Sequence, residues 1–202
     1  MSKTPVQVPV AEATRRHLSV RQSQTVDGLL QAAMEELRAV GYAELTVRNV
    51  ARRAGVAPAT AYNYFASKEH LVTEVYWRRF VTQPELPPVN GTSADVADRV
   101  IAALSAFALV VADEAELSAA CTVAVLAEDP DVKVLRERIA AEFRRRLADA
   151  FGHEVDAAVM RTLHFATAGL LLQVGTGHLD YEAIPRLLDE VVRTVLAGTE
   201  QP

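Results

Sequence analysis

Between Thr46 and Lys68 the stretch TVRNVARRAGVAPATAYNYFASK concentrates hydroxyl, amide and cationic side chains. Asn63 can pair bidentately with an adenine edge, and the methyl groups of Ala59 and Thr60 suit a thymine methyl. Thr46, Arg48, Tyr62, Tyr64 and Lys68 carry donors that can hold phosphate oxygens. This chemistry is non-covalent: hydrogen bonding and charge neutralisation along a polyanion. Each residue also has a plainer reading, with Tyr62 as a core aromatic and Arg48, Arg52 and Arg53 as a solvated face.

Short helices must position these groups. Val26, Leu29, Leu30, Ala33, Met34, Leu37 and Val40 recur at helical spacing and stop at Gly41, which predicts a first helix. Thr46 is a suitable N-cap for a second helix with inner face Val47, Val50, Ala51 and Ala54, ended by Gly55. Pro58 suits the first position of a third, running to about Phe65. On that helix Val56, Ala61 and Phe65 face inward, leaving Ala59, Thr60, Asn63 and Tyr64 outward. Two short helices across a glycine-containing turn, behind a longer helix, form a layout that presents the second short helix to a major groove.

The residues Thr46-Val47-Arg48, Val50-Ala51, Ala54-Gly55-Val56, Thr60, Tyr62, Tyr64-Phe65, Lys68 and Leu71, preceded by Gly41-Tyr42, resemble the DNA-binding segment of the TetR family of repressors. The resemblance covers roughly residues 25–75. It implies DNA contacts by Thr46, Arg48, Pro58, Ala59, Thr60, Tyr62, Asn63, Tyr64 and Lys68. Ala57 departs from the family, which often has a capping serine there, and Ala61 is smaller than the usual leucine.

Ser67 can cap a fourth helix containing Leu71, Val75, Trp77 and Phe80, running to about Gln83 and closed by QPELPPVNG. Five further helical stretches follow: 93–112, 114–127, 130–151, 156–173 and 181–197. The fold expected is all-α, with a flexible arm over 1–22, a three-helix helix-turn-helix domain over 23–66 and a helical ligand-binding and dimerisation domain over 67–202. Arg15, Arg16 and Arg21 fall in the arm, where they are either a plain tail or groove contacts. The resemblance implies that a small-molecule effector entering the C-terminal domain moves the fourth helix and lowers DNA affinity. Trp77, Phe80, Phe107, Cys121, Phe143, His164, Phe165 and Gln173 are the candidate pocket residues, with core packing as their competing reading. The apolar bias favours a hydrophobic or amphipathic effector.

The last two helices carry Val155, Val159, Leu163, Leu170 and Leu171, then Ile184, Leu187, Leu188, Val191, Val192 and Val195. That is apolar for the end of a monomer and predicts a homodimer, with Ala166, Ala168 and Gly169 allowing close approach; an internal hairpin is the alternative. Net charge is −5, but residues 1–80 carry 11 Lys and Arg against 7 Asp and Glu, a net +4, while the rest carry 10 against 19, a net −9. The basic charge lies with the helix-turn-helix.

The five histidines, at 17, 70, 153, 164 and 178, show no metal-ligand spacing and do not pair with the single cysteine, Cys121. No GxSxG or GxxxxGK run and no strand–helix alternation is present. An enzyme, a metal protein and a cofactor are therefore not expected. Neither a secretory leader nor an apolar run long enough to span a bilayer is read, and a double-stranded DNA operator, an effector and a cytoplasmic setting are the expected context. Two alternatives stay open: an all-helical carrier of apolar molecules with a non-functional helix-turn-helix, and an activator or chromosome organiser.

Overall fold

The computed structural model describes residues 20–85 and 93–199, so Arg15 and Arg16 lie outside the described residues. Among those residues the chain is all-helical: α1 (Val20–Glu44), α2 (Val47–Arg53), α3 (Pro58–Tyr62), α4 (Lys68–Val81), α5 (Ser93–Ala108), α6 (Ala115–Ala124), α7 (Pro130–Phe151), α8 (Ala157–Gly175) and α9 (Ile184–Thr199), with a 3₁₀ turn at Tyr181–Ala183. Because α1 begins at Val20, Arg21 stands exposed on a helix and not in the arm expected over 1–22. α1 kinks at Gly41, where the apolar stripe of the sequence ends.

α1 packs on α2, α4 and α6, and α2 packs on α3, so the N-terminal unit shares α4 with the rest of the molecule. Its core is Val26, Leu29, Leu37, Leu45, Val50, Ala51, Ala61 and Phe65, all at most 1 % exposed. α4 spans 14 residues, shorter than expected because Thr82 caps it and turns its hydroxyl back onto the Arg78 and Arg79 carbonyls. At a rise of about 1.5 Å per residue it is a rod of about 21 Å. It packs against α6 and α7, while α5 packs on α7 and α9.

Two ionic clusters fasten the halves. Glu114, in the α5–α6 connection, binds Arg38 of α1 and lies 3.4 Å from Arg79 of α4, whose guanidinium also meets Asp113 at 2.8 Å. Arg78 joins Asp27 of α1 to the buried Glu74 of α4.

α8 is, by length and composition, apolar enough to cross a bilayer, although it contains no uninterrupted apolar run of that length. A run interrupted by Arg161, Thr162 and His164 still averages as apolar over a whole helix. One stripe, Val159, Leu163 and Thr167, is buried against α9, α6 and α5. Its C-terminus meets α6 closely: a Cβ at Gly175 would lie 2.5 Å from the Thr122 side chain. Gly175→Ala is therefore expected to destabilise the protein by about 1–3 kcal/mol through overpacking, read as a lowered denaturation midpoint with unchanged slope.

Candidate nucleic-acid interface

The angle between α2 and α3 is set by backbone chemistry. Thr46 caps α2, its Oγ1 accepting from Asn49 N at 3.1 Å. At the other end Gly55 takes φ +70°, and the N–H groups of Gly55 and Val56 return to the Arg52 and Ala51 carbonyls at 3.2 and 3.0 Å. This is a Schellman closure, in which glycine supplies the left-handed residue. Ala57 offers no side-chain cap, and Pro58 starts α3 immediately afterwards.

Ala61 and Phe65 then anchor α3 in the core, both fully buried. Pro58, Ala59, Tyr62 and Asn63 are exposed, while Thr60 and Tyr64 are half-buried, with Tyr64 packed against the core. Tyr62 is 47 % exposed, which removes its reading as a core aromatic. Val56 is half-buried and packs inward as expected. The outward face of α3 therefore presents Ala59, Asn63 and Tyr62 with the flank of Thr60.

Of the neighbouring cations, Arg48 is exposed, and Arg52 bonds weakly to Asn49 at 3.3 Å. Arg53 is not a solvated bystander: it donates to the buried Glu36 at 2.7 Å and ties α2 to α1. Lys68 donates to the Tyr42 and Ala43 carbonyls at 2.9 and 3.2 Å and sits 4.4 Å from the Tyr42 ring centre. It thus caps the carbonyls of α1 beyond the Gly41 kink, a role the sequence alone does not reveal, and keeps its third N–H for another acceptor. Between Leu45 and Lys68 the chain contains no acidic residue, so the exposed surface of α2 and α3 is uniformly neutral or cationic.

The expected pocket residues separate. Phe80, Phe107 and Phe143 do meet around one closed, shallow space, with Ala103, Leu104, Arg146 and Leu147. Their rings meet edge-on or tilted in a row from α4 to α8: Tyr76–Phe80 at 6.4 Å, Phe80–Phe107 at 5.0 Å, Phe107–Phe143 at 4.6 Å and Phe143–His164 at 5.1 Å. Arg146 lies over the Phe80 ring at 4.8 Å and is held by Glu142 at 2.7 Å. Burial, with Arg144 adding to it, lowers the His164 pKa, so its imidazole is neutral near pH 7. Trp77 is half-buried at the edge of the core and does not line the space. Cys121 is buried on α6, its thiol pushed up to about 12 by burial, and also lies outside it.

Phe165 and Gln173 do not line this space; both are exposed on α8, Phe165 by 69 %. Leu172 is 51 % exposed beside them, and Ala168 and Gly169 are exposed between. The apolar stripe of α9 is spent inside the protomer instead: Ile184, Leu188 and Val192 are fully buried. Among the described residues no group of three or more His, Cys, Asp or Glu is placed to hold a metal.

Residues 29–75 match the family model described as bacterial regulatory proteins, tetR family. An HTH-type transcriptional regulator of Mycobacterium tuberculosis is 45% identical over 196 residues, covering 96% of this chain and 90% of that protein. A TetR transcriptional regulator from Rhodococcus sp. RHA1 superposes with a TM-score of 0.71 at 23% identity, over 89% of this chain and 98% of its own. FadR of Thermus thermophilus, a TetR-family repressor solved in complex with lauroyl-CoA, superposes with a TM-score of 0.60 at 21% identity, over 88% of this chain and 96% of its own.

Proposed function

Because this chain belongs to the TetR family of bacterial transcriptional regulators, and is a DNA-binding protein rather than an enzyme, we propose that it is a repressor released from a palindromic operator by an apolar or amphipathic effector. The observation that carries this reading is the outward face of α3. It offers methyls, an amide and a phenol on a closed turn, beside the exposed Arg48 and in a segment without acidic residues from Leu45 to Lys68. Asn63 reads an adenine, Ala59 and Thr60 meet thymine methyls, and Pro58 brings the start of α3 against the duplex. Arg48, Thr46, Tyr62, Tyr64 and the third N–H of Lys68 hold phosphates. The protein acts as a homodimer on chromosomal DNA in the cytoplasm, with the exposed apolar face of α8 at the two-fold axis.

The effector enters the aromatic row. The row is closed as it stands, with none of the roughly 300 Å³ that a ligand pocket needs, so an occupant must part Phe80, Phe107 and Phe143. Phe80 belongs to α4, so parting the rings moves the rod that starts beside α3. For the shift to occur the effector must favour the parted state, since equal affinity for both would change nothing. A long acyl chain has the right chemistry for this row, Arg146 can meet an acidic head, and the relative holding lauroyl-CoA makes that thioester the first probe. The carrier alternative has no use for an acid-free, outward α3 face.

Two results test the proposal. Lauroyl-CoA is expected to release the protein from a duplex that it has itself selected from a random pool, and a failure of every apolar or amphipathic ligand tried would oppose effector control. Asn63→Ala is expected to cost about 1–3 kcal/mol on that duplex and to relax choice at one base pair, whereas Arg48→Ala should weaken all duplexes alike and lower the salt slope by about 1. Competition shift assays over a range of salt separate the two.

A further inference from the structure

The turn that passes the chain from α3 to α4 is held from outside by α7. Ser67, the N-cap of α4, accepts the His70 N–H at 3.0 Å and donates its own hydroxyl hydrogen to Asp129 Oδ2 at 2.5 Å. Asp129 is in turn the N-cap of α7, its Oδ1 accepting from Asp131 N at 2.8 Å and Val132 N at 3.4 Å. One carboxylate thus caps its own helix with one oxygen and grips the cap of another helix with the second. Burial opposes its charge, but the Ser67 hydroxyl and the two backbone N–H groups hold its pKa below the ordinary value.

A second contact lies beside the first. His70 is buried, accepts the Ala66 N–H on Nδ1 at 3.4 Å and meets the Phe65 ring edge-on at 5.4 Å. Asp131 Oδ2 stands 3.8 Å from that same nitrogen, which offers it no hydrogen while it accepts the Ala66 N–H. Phe65 is the buried residue that pins the end of α3, its own N–H returning to Ala61 at 2.9 Å. The Asp129–Ser67 bond and the packing of His70 therefore meet at the few residues that set the direction in which α3 leaves the core.

We propose that Asp129 is a positioning residue for DNA recognition: through Ser67 the start of α7 fixes the α3–α4 turn, so the presentation of α3 depends on α7 as well as on α4. α7 runs unbroken for 22 residues and carries Phe143 and Arg146 at the aromatic row. A displacement of this helix reaches the turn without passing through the α4 rod. The inference rests on the reading of α3 as the DNA-contacting helix.

The test compares the full-length wild type with Asp129→Ala, Asp129→Asn and Asp156→Ala. Asp156 caps α8 as Asp129 caps α7, accepting from Ala158 N at 2.6 Å, but it lies on a helix that packs on α5, α6 and α9. Asp129→Ala is expected to speed amide exchange at Ala66 and in α3 about tenfold and to weaken binding to the selected duplex about tenfold. Asparagine, which can cap α7 and still meet the Ser67 hydroxyl, restores both. Asp156→Ala lowers Tm to a similar extent and moves neither. The proposal is overturned if Asp129→Ala leaves exchange and affinity unchanged, or if Asp156→Ala moves them equally. Should the wild type select no duplex, the DNA reading fails, while the exchange measurement still decides whether α7 holds the turn.

Discussion

Replacing Phe165 by aspartate is expected to yield a folded monomer that no longer holds a palindromic duplex. Phe165 lies 69 % exposed on α8, with Leu172 and the small residues Ala168 and Gly169 beside it. Its ring neighbour in the same protomer is the adjacent His164, at 5.9 Å, and a side chain this exposed contributes little to the fold. In a two-fold interface the same residue meets its copy or a near neighbour, and burying it stabilises association by about 1.5–3 kcal/mol per protomer. The substitution removes both contributions and brings two carboxylates into a desolvated seam. The dissociation constant of the dimer should rise by at least about 100-fold, each 1.4 kcal/mol being a factor of ten. Sedimentation at several concentrations measures it, and a variant that stays dimeric at the wild-type midpoint would place the interface elsewhere.

The second large effect concerns Glu74. Its side chain is wholly buried on α4, Arg78 donates to Oε1 at 2.9 Å, and Oε2 has no hydrogen-bond partner among the described residues. Burial pushes its carboxyl up to about 7, against the opposing pull of Arg78 and of Arg138 on α7. In the unfolded chain the group titrates near 4.5. Between these values the folded protein keeps a proton that the unfolded chain has lost, so stability is full below about 4.5, declines as pH rises to about 7 and is flat beyond. The difference is about 3 kcal/mol, at about 1.4 kcal/mol per unit. Glu74→Gln keeps an oxygen for Arg78 without the charge. It is expected to abolish this slope and to exceed the wild type in stability at pH 8. Denaturant titrations at pH 5 and pH 8, at one protein concentration, read both, and an unchanged slope in the variant would show that Glu74 stays ionised throughout. Asp129, Glu114 and Glu142, whose pKa values lie below the ordinary carboxylate value, lose their contributions at more acid pH and do not mask the effect.

Local signals account for what the sequence made legible. α7 runs from Pro130 to Phe151 as expected, because Asp129-Pro130 and Gly152 mark both ends within a residue or two of the helix itself. The inward set Ala61 and Phe65 and the outward set Ala59 and Asn63 followed from helical spacing once Pro58 fixed the start of α3. What escaped depends on residues far apart in the chain. Arg53 finds Glu36 17 positions away, Lys68 finds the Tyr42 carbonyl 26 away, and Ser67 finds Asp129 62 away. Nothing in the charge or polarity of either partner announces such a pair. α8 misled for a different reason: with apolar residues on most of its circumference, periodicity cannot say which face is inward. Spacing groups Phe165 with the pocket and Leu170 and Leu171 with the pairing surface, whereas the exposed large apolar residues of α8 are Phe165 and Leu172.

The central claim is that α3 reads base edges. It is tested most directly by the ratio of dissociation constants, at one stated salt concentration, for the duplex the protein selects from a random pool and for the same duplex with its bases shuffled. The account predicts a palindromic sequence and a ratio of at least about 10³, falling sharply in Asn63→Ala. A ratio near one in the wild type, with binding that follows salt alone, would contradict it.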